Sequence, residues 1–298
     1  MTTGTALIAA SSVAMSRPAD HGGRPLTAVL RRRLLALLLA GRPPAGGAPA
    51  AAQPPGAVIT DIDAAPPTPQ LDGLEWTFVR IRYGSWEEQL RAFRARYWSD
   101  PWAIDGPAAE QNLSRRLGRV TSIRVKDPVV LTLADERLWE YPWIYFVEPG
   151  NLRLKPDEVG VLREFLLRGG TATFDDFHGP VEFGTVQKEL RRVFPEREIV
   201  KLPLDHPVFS AFYRVTEYPQ IPGLGSFFNG VTWEKGGVEA GLHAILDDDG
   251  RAMVLLNFNT DMGDGWEWSN AEDYPGYIQY TAQAYRMMIN EVVYALTH

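Results

Sequence analysis

Asp175 and Asp176 stand side by side, with His178 two residues on, in the stretch GGTATFDDFHGP at 169–180. Two carboxylates beside an imidazole are residue types that bind a divalent metal or share a proton. The same types also build turns and helix caps, and DDFHGP is rich in turn formers. A second set lies in LPLDHPVFSAFYRV at 202–215, where His206 is held between Asp205 and Pro207. A neighbouring carboxylate can hold an imidazole tautomer; the bland alternative is a loop histidine packed on aromatics. A third set is NFNTDMGDGWEWS at 257–269, with Asn257, Asn259, Asp261, Asp264 and Glu267 around glycines, and Trp266 and Trp268 among them. Alternating oxygen ligands suit calcium, and tryptophan beside acids suits a sugar. The spacing departs from an EF-hand loop, so the segment reads better as one wall of a cleft.

The absent chemistry narrows the field. The 298 residues include no cysteine, which removes disulfides, thiolate ligands and a cysteine nucleophile. The body carries no G-x-S-x-G, Walker, H-E-x-x-H or G-x-G-x-x-G pattern. Residues 1–52 hold six arginines and one aspartate, so the rest is more acidic than the whole-chain net of −7. Phosphate backbones need a basic face, so nucleic acid is not the expected partner.

At the amino end, Arg31, Arg32 and Arg33 precede an apolar run from Leu34 to Gly41, and small residues lead to Ala50-Ala51-Ala52-Gln53. That order predicts a signal peptide or cleaved leader over 1–52, and Met15 is an alternative start. The run is too short to span a bilayer, so no transmembrane helix is expected and the protein is placed in the periplasm or outside the cell. Residues 53–73 hold five prolines and read as a linker, leaving 74–298 as the folded domain.

Elements must position these residues. Strands are predicted at 76–83, 127–133, 141–147, 171–174 and 197–202, with a strand pair over 241–258 turning at 247–250. Helices are predicted at 106–117, 154–170, 184–194 and 277–296, and 214–240 reads as a long loop. The strand–helix–strand run from 141 to 174 is a βαβ unit, so 143–147 and 171–174 should be adjacent and parallel. Asp175 and Asp176 then follow a strand at the carboxyl edge of a parallel sheet, where open α/β sheets place ligands. Strand alternation assigns Asp175 inward, capping backbone N–H groups, and Asp176 to the cleft, with His178, His206 and the 259–267 loop on the same rim.

The runs FVRIRYG, YPWIYFVEPGNLRLKPDEVGVLREFLLRGGTATFDD, RVFPE, LPLDHPVF and NEVVYALT, in this order over 76–297, resemble the DUF4159 family of bacterial proteins, whose function is unassigned. The resemblance implies a flavodoxin-like, class I glutamine-amidotransferase-like α/β fold, a mostly parallel sheet with helices on both faces, similar to ThuA-like domains of sugar metabolism. Without cysteine the amidotransferase nucleophile is missing, so glutaminase activity is not carried over. Two functions remain open. One is a non-catalytic ligand-binding or assembly module whose partners are exported or membrane proteins or a sugar-like molecule. The other is a hydrolase or lyase on a sugar-like ligand, with Asp176, His178 and His206 as catalytic candidates. The ligand-binding set is Asp175, Asp176, His178, Asp205, His206, Asn259, Asp261, Trp266 and Glu267. No cofactor is implied other than a possible divalent metal.

Overall fold

The computed structural model describes residues 71–270 and 272–298. The expected leader and all but the last three residues of the linker lie outside these. Of those three, Leu71 is buried in the core.

Apolar runs that alternate faces build one main sheet. Its order is β4 (Val129–Leu131), β2 (Val79–Ile81), β5 (Trp143–Val147), β6 (Thr171–Phe177), β9 (Ala252–Phe258), β8 (Gly241–Leu246) and β7 (Val200–Lys201). All neighbouring pairs from β4 to β9 are parallel; β8 runs antiparallel to both of its neighbours. A parallel ribbon of β1 (Glu75–Trp76) and β3 (Arg124–Val125) stands apart. The strand expected at 76–83 is therefore divided between two sheets. The predicted pairing of 143–147 with 171–174 is present, with Trp143 opposite Thr171 and Phe146 opposite Phe174.

The helices are α1 (Glu87–Tyr97), α2 (Ala108–Val120), α3 (Pro156–Leu167), α4 (Gly179–Val193), α5 (Leu224–Phe228), α6 (Met262–Glu267) and α7 (Ile278–Thr297). The crossover helix α3 shows why the sequence is legible there. Pro156 opens it, the Glu158 carboxylate accepts from the Lys155 N–H at 2.8 Å, and Gly169 leaves it at φ +104°.

Each strand of the sheet centre feeds two cores. Trp143, Tyr145 and Val147 pack with α2 and α7, while Ile144 and Phe146 pack with α3 and α4. Helices thus cover both faces, the flavodoxin-like arrangement. Each large apolar side chain buried here contributes about 1.5–3 kcal/mol. One charged residue is enclosed as well. Arg80 on β2 meets Glu110 on α2 through Nε–Oε1 at 3.1 Å and Nη2–Oε2 at 2.6 Å. Its Nη1 donates to the carbonyls of Trp102 at 3.3 Å and Ile104 at 3.0 Å. This fastens the segment that leads into Asp105.

Candidate functional site

β6 runs three residues further than its sequence suggests, and a bulge explains why. Ala172 and Phe174 belong to the α3–α4 core, and strict alternation would send Asp176 into that core next. Instead the pairing with β9 shifts between Phe174 and Phe177, and Asp176 takes φ +59°. The extra residue lets Phe177 fill the core position against Phe258, at 5.4 Å between ring centres. Asp176 is thereby pushed out of the ladder toward the carboxyl edge of the sheet.

Asp175 remains on the opposite face and is fully enclosed. Its carboxylate accepts from Tyr145 Oη at 2.8 Å, Gly263 N at 3.0 Å and Met262 N at 3.3 Å. It therefore pins the start of α6 to the sheet. Burial pushes its pKa up to about 7, against the pull of those donors.

That anchoring brings three chain segments together. Asp176 comes from the β6 bulge, Asp261 from the turn after β9, and Asp105 from the loop that Arg80 fastens. Each offers one carboxylate oxygen within 4.8 Å of the other two, and all three residues are buried. Oxygens this close can share one cation at about 2.0–2.6 Å. A second set, Asp105, Asp264 and Glu267, meets the same distance test on the half-exposed side. Burial, together with neighbouring carboxylates, holds Asp105, Asp176 and Asp261 well above the usual carboxylate range. Among the described residues no arginine or lysine lies within ion-pair distance of the three; His178 Nε2, 3.1 Å from Asp176 Oδ1, is the basic group that does. Burial lowers the His178 pKa, and its Nδ1 is enclosed without a partner.

One wall of the site is a lysine held between two glutamates. Lys235 Nζ lies 2.7 Å from Glu182 and 3.8 Å from Glu148, the residue that follows β5. Burial disfavours the ammonium, but these two carboxylates outweigh it and keep the lysine charged. Glu182 also accepts from the His178 backbone N–H at 2.7 Å.

The residues singled out from sequence have different fates. Asp176, His178 and Asp261 converge directly, and Glu267 borders them. Asn259 is a clamp: its Oδ1 accepts from Gly179 N at 2.8 Å and its Nδ2 donates to the Glu239 carbonyl at 2.5 Å. Trp266 is fully buried against Phe78 and Tyr145, so it is core and offers no face to a sugar. His206, with its neighbour Asp205, does not join the rim. Its ring packs 5.4 Å from that of Tyr294, whose hydroxyl accepts from Ala252 N at the start of β9. That is the other end of a strand roughly 20 Å long. The segment is tied instead by a short turn, in which His206 Nδ1 accepts from Val208 N at 3.3 Å.

Sequence reading missed Asp105, Glu148 and Lys235. Glu148 carried a signal, since it directly follows the most apolar strand. Asp105, in IDGP, reads only as a turn before a helix; its role depends on a contact across the fold.

A family model described as a domain of unknown function, DUF4159, matches residues 77–296. No curated protein matches the chain.

Proposed function

The chain belongs to the DUF4159 family, and on that premise we propose a non-catalytic binding module that holds a hard divalent cation and, through it, a small ligand rich in hydroxyl or carboxyl oxygens. The observation that carries the reading is the triad of Asp105, Asp176 and Asp261, three buried carboxylates with oxygens within 4.8 Å of one another and, among the described residues, no arginine or lysine paired with them, His178 beside Asp176 being the one basic group at ion-pair distance. Enclosing three like charges is costly unless a cation or protons neutralise them. An all-oxygen set selects magnesium, manganese or calcium over softer metals. Asp264 and Glu267, half-exposed at the rim, leave the ligand side open to solvent.

Calorimetry with Mg²⁺, Mn²⁺ and Ca²⁺ on chelator-treated protein tests this. The expected result is saturable binding that Asp176→Asn weakens at least tenfold, about 1.4 kcal/mol. No binding of any of the three ions by the unmodified protein overturns it.

A metal-assisted hydrolase or lyase is the second reading, favoured by His178. Its Nε2 meets Asp176 while Nδ1 has no partner, an arrangement able to pass a proton beside a bound ion. Export to the periplasm is part of the proposal and rests on Arg31–Arg33, the apolar run and Ala50–Ala52. The mass of the native protein should then correspond to a start near Gln53; a chain beginning at Met1 or Met15 overturns export.

A further inference from the structure

Two carboxylate sets share one residue. Asp105 belongs to the buried group with Asp176 and Asp261, and equally to the half-exposed group with Asp264 and Glu267. A carboxylate common to two three-oxygen sets is the geometry of a bridging ligand, and two-metal centres hold their ions about 3.5–4 Å apart.

We propose that this edge of the sheet is a dinuclear centre for hard divalent cations, with Asp105 as the bridge, an inner ion on Asp176 and Asp261, and an outer ion on Asp264 and Glu267. The inference rests on the reading above and adds the second ion.

An independent observation points the same way. Asp105 is 3% exposed, yet its Oδ2 has no hydrogen-bond partner. A buried carboxylate oxygen without donors costs about 1–3 kcal/mol or more. The neighbouring guanidinium of Arg80 directs its hydrogen bonds to Glu110 and to the carbonyls of Trp102 and Ile104, and none to this oxygen. The chain also keeps this oxygen clear. A Cβ on Gly263 would stand 2.4 Å from Asp105 Oδ2, so any other residue there would displace the carboxylate. Asp105 itself is held at φ +62°, a conformation an ordinary turn would assign to glycine or asparagine.

The other ligands are set by local structure. The Asp261 Oδ1 accepts from Asp264 N at 2.7 Å, which fixes both on one short turn. Asp264 accepts from Leu224 N at 2.6 Å and Trp268 Nε1 at 2.9 Å, so its carboxylate is oriented before any ion arrives. Each of these oxygens keeps a second lone pair for a metal. The inner position is enclosed by protein, and the outer one faces solvent. An exogenous oxyanion such as phosphate, or a ligand carboxylate, would enter at the outer ion.

The test uses the full chain freed of metal by chelation. Mn²⁺ is titrated by calorimetry, counted by elemental analysis, and read by electron paramagnetic resonance, where bridged ions give an exchange-coupled signal. Two Mn²⁺ per chain with a coupled spectrum are expected. Glu267→Gln, which removes one carboxylate of the outer set, should hold one ion and show the uncoupled six-line pattern. Asp105→Asn should weaken both sites at least tenfold. One Mn²⁺ in the unmodified protein, unaffected by Glu267→Gln, overturns the dinuclear centre and leaves the single-cation reading standing. Two ions without coupling overturn the bridge. No Mn²⁺ at all overturns the dinuclear centre, and the single-cation reading falls with it when Mg²⁺ and Ca²⁺ also fail to bind. Circular dichroism of each variant separates lost binding from lost folding.

Discussion

Asp175 and Asp176 are identical in covalent chemistry and adjacent in the chain, yet the fold gives them opposite tasks. Asp175 has its carboxylate filled by Tyr145, Met262 and Gly263. Replacing it by Asn turns one end of that acceptor into a donor facing donors. Urea unfolding of Asp175→Asn should show a loss of about 1–3 kcal/mol; an unchanged midpoint would mean the α6 anchor lies elsewhere. Glu291 is a second enclosed acid, removed from the cluster. It sits on α7 with Oε2 accepting from Thr173 Oγ1 at 3.0 Å, while Oε1 is unpartnered, and burial raises its pKa to about 8. The folded protein therefore keeps it protonated where the unfolded chain, at about 4.3, has lost the proton. Its contribution is complete below the unfolded value, declines by about 1.4 kcal/mol per pH unit between the two, and is gone above about 8. Glu291→Gln should lose this slope, so the stability difference between variant and parent should change between pH 5 and 8. A constant difference would place the Glu291 pKa in the ordinary range. Strand periodicity predicted only that the two aspartates face opposite ways; by itself it sends Asp176 into the α3–α4 core, and the bulge that carries it to the carboxyl edge was not legible. Glu291 was not legible either, since NEVVYAL looks like any amphipathic helix until Thr173 and Asn257 are seen beneath it.

At the scale of elements, the central strands were readable because burial on both faces leaves an unbroken apolar run, as in WIYFV. The ends were not. WTFVRIRY alternates well, yet it splits into β1 and β2, and its Arg80 is enclosed only because Glu110 arrives from α2. The β6 bulge was equally hidden: FDDF contains no glycine to announce a left-handed residue, and the gain comes from Phe177 reaching Phe258. Helix α4 begins five residues before its apolar periodicity does, at Gly179 rather than 184. Gly179 explains the early start. It sits at φ +69°, its N–H reaches Asn259, and a Cβ there would fall 2.1 Å from the Lys235 carbonyl oxygen. A backbone oxygen cannot swing aside, so Gly179→Ala combines left-handed strain with a clash. Chemical denaturation should register a loss of about 2–4 kcal/mol. The same variant should weaken Mn²⁺ binding, because Gly179 holds the turn that carries Asp176 and His178. Parent-like stability would show that the turn relaxes at little cost.

Across the whole molecule, a sheet with well-filled cores on both faces supports a carboxyl edge that is electrostatically unfavourable by itself. Asp105, Asp176 and Asp261 are enclosed together, and folding must bring them together whether or not a cation is at hand. Sites of this kind store destabilisation that the rest of the fold outweighs. Two opposite responses should therefore meet in one substitution. In chelator, Asp105→Asn removes a like charge and gives the enclosed group an amide able to donate to its neighbours, so it should melt higher than the parent by the equivalent of about 1–2 kcal/mol. With Mn²⁺ at 100 times its dissociation constant the order should reverse, since the parent gains about 2.7 kcal/mol and the variant gains little. Thermal melts of both proteins, with and without Mn²⁺, decide the matter. If Asp105→Asn is less stable in chelator as well, the carboxylate is a structural acceptor, and the electrostatic cost assigned to this edge of the sheet is not there.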